Sequence, residues 1–152
     1  MSRYKTGDSR RDFEQIGQSL NWDDVYEMVS QIALLTKTYE YFDQNPDKKT
    51  YTLIRNRGLG SLVRYSMDYC GEKNGYEISA AALEELNKTG KILWGREGPH
   101  YHEHLIPVNQ CTKEFIKNRS LENVKSFYLK QRIIITLRTE QKKIRGQGQP
   151  LR

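Results

Sequence analysis

The chain has 152 residues and a mass of 17.9 kDa, enough for one domain with a real core and short for two. Hydrophobic, aromatic and charged fractions of 36%, 11% and 29% exclude a disordered chain and describe an ordinary soluble protein. A formal charge of +6 and a pI near 9.3 favour an anionic partner, most simply nucleic acid, and ten tyrosines with two tryptophans add surfaces on which bases can stack.

Cys70 and Cys111 are too few for a disulfide framework and are not spaced as a metal-binding pair. The start, Met1-Ser2-Arg3-Tyr4-Lys5, lacks the apolar core of a signal peptide, and no stretch approaches membrane-spanning length. Both features point to the reducing cytoplasm, with two free thiols buried or half-buried.

Residues 1–11 are polar and basic and read as a flexible basic arm. Residues 12–97 read as mainly helical. Asn21 is a good N-cap, and Asp23 and Asp24 suit the positive end of a helix dipole. Val25, Met28, Val29, Ile32, Leu35, Tyr39 and Phe42 follow at helical spacing as an apolar stripe, which Asn45-Pro46-Asp47 ends in a turn. Leu53, Leu59, Leu62, Val63 and Met67 suit a second helix that Gly58 and Gly60 weaken. Arg55, Arg57 and Arg64 form a basic cluster along it, the composition of a phosphate-contacting surface and equally of a solvated helix face.

Glu72-Lys73-Asn74-Gly75 reads as a turn, Ser79 as the cap of a helix over 80–88 with Ala82, Leu83 and Leu86 inward, and Gly90 as its end. Lys91-Ile92-Leu93-Trp94 reads as a short extended piece. Val108, Cys111, Phe115 and Ile116 keep helical spacing, and Ser120 opens a further helix carrying Leu121, Val124, Phe127 and Tyr128. Arg132-Ile133-Ile134-Ile135-Thr136-Leu137-Arg138 is a strand by its β-branched content, with a short helix capped by Thr139 after it. The residues 146–152 read as a loose tail.

All three histidines stand in Gly98-Pro99-His100-Tyr101-His102-Glu103-His104-Leu105-Ile106-Pro107. In an extended segment the period of two puts His100, His102 and His104 on one face, with Tyr101, Glu103 and Leu105 on the other. Glu103-His104-Leu105-Ile106-Pro107 resembles the acidic-His-aliphatic-aliphatic-Pro signature of the HNH, or His-Me finger, nucleases. That resemblance implies a β-hairpin and a following helix (the ββα-metal arrangement) around one divalent metal, Mg²⁺ or Mn²⁺. It makes His104 the general base that activates water and Glu103 a metal ligand. The element would span 98–145, with the helices of 108–131 inserted between its two strands. The ligand from the closing helix is then Glu140 or Gln141, or Asn123 in a shorter register. Adjacent strand residues face opposite ways, so Glu103 and His104 cooperate only where the strand ends or twists, which Pro107 favours.

The expected fold class is therefore α+β: a mostly helical single domain, residues 1–152, with a small hairpin-plus-helix element near the C-terminus. The expected function is a metal-dependent endonuclease of restriction, homing or phage type acting on DNA. Arg55, Arg57, Arg64 and His102 would contact the nucleic acid, and a homodimer would cut both strands. Three other readings stay open: hydrogen-bonding histidines at a strand edge, a cupin-like imidazole site for Zn²⁺, and a decayed nuclease site in a non-catalytic binding protein.

Overall fold

The structure is a computed structural model that describes residues 20–90, 92 and 98–140. The basic arm, most of the extended piece before the histidines, Gln141 and the tail lie outside the described residues. In chain order the elements are α1 (Trp22–Phe42), α2 (Lys49–Leu53), a π-helical turn (Ile54–Leu59), α3 (Gly60–Met67), α4 (Cys70–Asn74), β1 (Tyr76–Ile78) and α5 (Ala80–Thr89). They continue with β2 (His100–His104), α6 (Val108–Lys117), α7 (Leu121–Lys130) and β3 (Ile133–Leu137). The fold is α+β, mostly helical, with one small sheet. Two compact units divide it, one of residues 20–68 and 106–131, the other with its described part in 69–105 and 132–140.

In the helical unit, Asn21 caps α1 as its side chain accepts the Asp24 N–H at 3.2 Å. The buried face of α1 is Tyr26, Val29, Ser30, Ala33 and Thr36. This corrects the expected stripe, of which Val29 alone is fully buried while Met28, Leu35 and Phe42 are 53%, 63% and 62% exposed. Small residues let neighbouring backbone approach closely, and Ser30 uses that closeness to donate to the Arg119 carbonyl at 2.7 Å. Beyond α1, Lys48 takes a left-handed conformation (φ 55°) and its Nζ donates to the carbonyls of Glu40 and Asp43 at 3.1 and 2.7 Å. It thereby satisfies acceptors that a helix end leaves open. Asp43 accepts the N–H groups of Asn45 and Tyr51, both at 3.0 Å, so it closes the turn and caps α2. The Asn45 N–H, aided by that of Tyr51 and by the Lys48 charge, holds the Asp43 carboxyl below the usual carboxylate range.

Residues 49–67 form one continuous helix with a π-helical turn in its middle. The Gly60 N–H bonds the Arg55 carbonyl, five residues back. The two glycines thus widen the helix instead of breaking it, and a Cβ on Gly60 would come within 3.2 Å of the Arg55 oxygen. Leu59, Val63, Met67, Phe115, Val124 and Tyr128 fill the core. Phe115 and Tyr128 stack with centroids 6.1 Å apart, and the Tyr128 hydroxyl meets Ser66 Oγ at 2.6 Å, so the ring is buried without orphaning its polar end. Burial pushes the Cys111 thiol in this core up to about 12.

The sheet unit has strand order β1-β3-β2, with β1 parallel and β2 antiparallel to β3. β1 interrupts the helical run expected over 12–97; three residues are too few to leave a periodic signal. A Cβ on Gly71 would overlap the Tyr76 ring, so the short α4 packs on β1 through glycine. Ser79 caps α5 through the Ala82 N–H at 3.1 Å, and Gly90 ends it at φ 73°, both as the sequence indicates. The core of the unit is Ala82, Leu86, Ile92, Ile133 and Ile135. Leu83, expected inside, is 41% exposed because Ala82 and Leu86 already cover the sheet.

Candidate metal centre on strand β2

The sequence places three imidazoles on alternate residues, and the ladder fixes what they face. Cross-strand partners share a side of a sheet. His100 pairs with Leu137, His102 with Ile135 and His104 with Ile133, which sets the three rings on the face of the isoleucine core. Tyr101 and Glu103 pair with Thr136 and Ile134 on the opposite face.

The three histidines differ in environment. His100 is fully buried and its Nε2 lies 3.3 Å from the Ala82 carbonyl, a structural role in which α5 is tied to β2. His102 and His104 are half-buried, with ring centroids 5.8 Å apart and planes at 73°. Each offers a ring nitrogen within 4.8 Å of the other's. Two imidazoles on one metal stand roughly 3–3.4 Å apart for bonds near 2.0–2.1 Å, so a small rotation of either ring suffices.

Glu103 is not brought to this pair. The β2–β3 register runs without a bulge through Glu103 and His104, so the two side chains diverge. The irregularity expected near Pro107 falls later, where Pro107 occupies the N-cap position of α6. Glu140 lies beyond Leu137, at the end of the strand pair where β2 begins, whereas His104 pairs with Ile133 at the other end. Four strand residues separate those ends by about 13 Å. The Glu140 carboxylate accepts from Ser79 Oγ at 2.6 Å and from the Leu137 N–H at 2.9 Å, ordering the helical turn at 138–140. Asn123 sits in the first turn of α7, its N–H bonded to Ser120 Oγ and its Nδ2 to the Asn118 carbonyl.

The arginine cluster divides as well. The Arg55 guanidinium donates to the side-chain oxygens of Asn56 and Asn109 at 2.9 and 3.2 Å and is half-buried. Arg57 and Arg64 are exposed. On the outer face of the sheet Arg138 stands 5.8 Å from the centre of the Tyr101 ring, a further cation beside an aromatic surface.

Two residues escaped the sequence reading. Asp68, directly after α3, is 6% exposed, and buried carboxylates are uncommon. Gln131 is fully buried: its Oε1 accepts the Ile106 N–H at 2.8 Å and its Nε2 donates to the Ile106 carbonyl at 2.7 Å. Neither sits in a periodic pattern that marks it.

No protein-family model, curated protein or solved structure matches the chain.

Proposed function

We propose that the chain is a metal-dependent phosphodiesterase acting on nucleic acid, with His102 and His104 holding its metal. The observation that carries the reading is the pair of half-buried imidazoles set edge to face on one side of β2. Two nitrogen ligands suit a transition-metal ion such as Zn²⁺ better than Mg²⁺ or Mn²⁺, which prefer oxygen. Such an ion, held by His102 and His104, would supply Lewis acidity toward water and offset phosphate charge. His104 accordingly serves as a ligand in this reading, and Glu103 acts from the outer face with Tyr101 and Arg138. Exposed Arg57 and Arg64, within an overall charge of +6, supply the backbone affinity.

The test is nicking of supercoiled plasmid by metal-free protein to which Mn²⁺, Zn²⁺ or Mg²⁺ is restored. Cleavage that EDTA stops and His102→Ala or His104→Ala abolishes is expected. Cleavage that survives both substitutions would overturn it. The separation of Glu103 from His104 favours a second reading, a non-catalytic nucleic-acid-binding protein. Salt-sensitive DNA binding with no cleavage under any of these metals would select it.

A further inference from the structure

The heptad-like seam on α1 carries an inference independent of the metal centre. Val25, Met28, Ile32, Leu35, Tyr39 and Phe42 alternate at intervals of three and four residues, the a/d repeat of a coiled-coil helix. They are not the face that α1 buries in its own unit, which is Tyr26, Val29, Ser30, Ala33 and Thr36. Val25 and Ile32 are half-buried, and Met28, Leu35, Tyr39 and Phe42 are exposed. One helix thus presents two faces, an inner one of mostly small side chains beside Tyr26 and an outer one of large apolar side chains.

We propose that this outer seam pairs antiparallel with the same seam of a second copy of the chain. In that arrangement every a residue meets a d residue: Val25 opposes Phe42, Met28 opposes Tyr39 and Ile32 opposes Leu35. Large rings then face smaller side chains, and the thioether of Met28 meets an aromatic ring. Antiparallel alignment also sets the helix dipoles head to tail. Gln31 and Thr38 flank the middle of the seam, so the positive charge of the chain does not fall there, and the acidic Asp24 and Asp43 come opposite each other only at its two ends. Covering the six side chains on both copies removes roughly 1,000 Å² from water, near the lower bound of specific interfaces, so the dimer is expected at micromolar concentration.

Sedimentation of the full chain between about 1 and 100 µM, spanning that affinity range, reads this directly. The mass is expected to rise from 17.9 kDa to twice that value. Leu35→Glu should hold the chain at monomer mass with unchanged helicity, whereas Leu129→Glu, at an exposed site on α7, should leave the dimer. If Leu35→Glu loses helicity, Phe42→Glu at the end of α1 gives the same readout. Oxidation should cross-link the double variant Met28→Cys/Tyr39→Cys between copies and leave Met28→Cys alone uncross-linked. A monomeric wild type at the highest concentration overturns the proposal, as does a dimer that Leu35→Glu or Phe42→Glu leaves intact. A monomer whose Met28→Cys thiol resists alkylation would likewise overturn it, the seam then being covered within one chain. Cross-linking by Met28→Cys alone would overturn the antiparallel pairing.

Discussion

The buried amide of Gln131 grips the peptide of Ile106 at two points, accepting its N–H at 2.8 Å and donating to its carbonyl at 2.7 Å. The side chain copies what a neighbouring strand would offer, just after the histidine strand ends. Gln131→Leu keeps the size but removes both bonds, leaving the Ile106 carbonyl with only the weak Cys111 Sγ donor at 3.9 Å, and a buried polar group stripped of its partner costs about 1–3 kcal/mol. A loss of about 2–4 kcal/mol in urea unfolding is expected. A loss below about 0.5 kcal/mol, the size of an ordinary surface change, would show that the clamp is not a stabilising feature.

The three histidines should separate by experiment. His102→Ala and His104→Ala are each expected to weaken Zn²⁺ binding by calorimetry at least about 100-fold, the upper end of what even supporting residues cost a metal site. His100→Ala should instead lower the melting temperature, because its ring is buried against the Ala82 carbonyl. Glu103→Ala should leave affinity within about twofold, since a rim charge acts only weakly across a sheet. A collapse of affinity in Glu103→Ala would restore it to the metal and count against the paired-imidazole site.

Burial holds the Cys111 thiol protonated up to about 12, and the thiolate is the reactive form. Iodoacetamide at pH 8 should therefore leave Cys111 unlabelled in the folded protein and label it after denaturation, as mass spectrometry of its peptide will show. Linkage has a definite sign here. The folded thiol keeps its proton longer than the unfolded one, so stability present below the ordinary value of 9.0 falls as pH rises from there toward 12. Rapid labelling of the native chain would contradict the packing around α6.

Asp43 gives the opposite sign. Its carboxyl is held below the ordinary value of 3.8, chiefly by the Asn45 N–H, so its contribution exists above that value and disappears as pH falls through the lower folded one. Asp43→Ala should melt at lower temperature than wild type at pH 7, and the difference should shrink toward pH 2. A gap that stays constant across that range would mean the carboxylate charge has no part in closing the turn.

Much of the fold was legible wherever the cause is local. Asn21, Ser79 and Ser120 each accept an N–H three residues on, and Gly90 takes the left-handed conformation at a helix end. The isoleucines of β3 announced a strand. β1 did not, because Tyr76–Ile78 owes its extended state to pairing with residues 133–135, far along the chain. The buried face of α1 was misread because apolarity ranks Leu35 and Phe42 above Ser30 and Ala33, whereas close packing of helices favours the small residues. At the site, the period of two divides His104 from Glu103, and the regular ladder keeps them on opposite faces. Gln131 and Glu140 act through hydrogen bonds to residues distant in the chain, Ile106 and Ser79, that no spacing encodes.

The π-helical turn at Ile54–Leu59 has a consequence for how the length of this chain can vary. A hydrogen bond spanning five residues instead of four means that the helix holds one residue more than its path requires. Gly58 lies in that turn, exposed, with no described atom within 4 Å of where its Cβ would stand. Loss of that residue would leave an unbroken α-helix, with Leu59, Val63 and Met67 still on the core. The extra residue is absorbed within the turn itself, so the segments on either side keep their phase and Arg55 and Arg64 stay on their present faces. A one-codon deletion at this place would thus spare both the core and the pattern of positive charge, which a deletion elsewhere in the helix would rotate by about 100°.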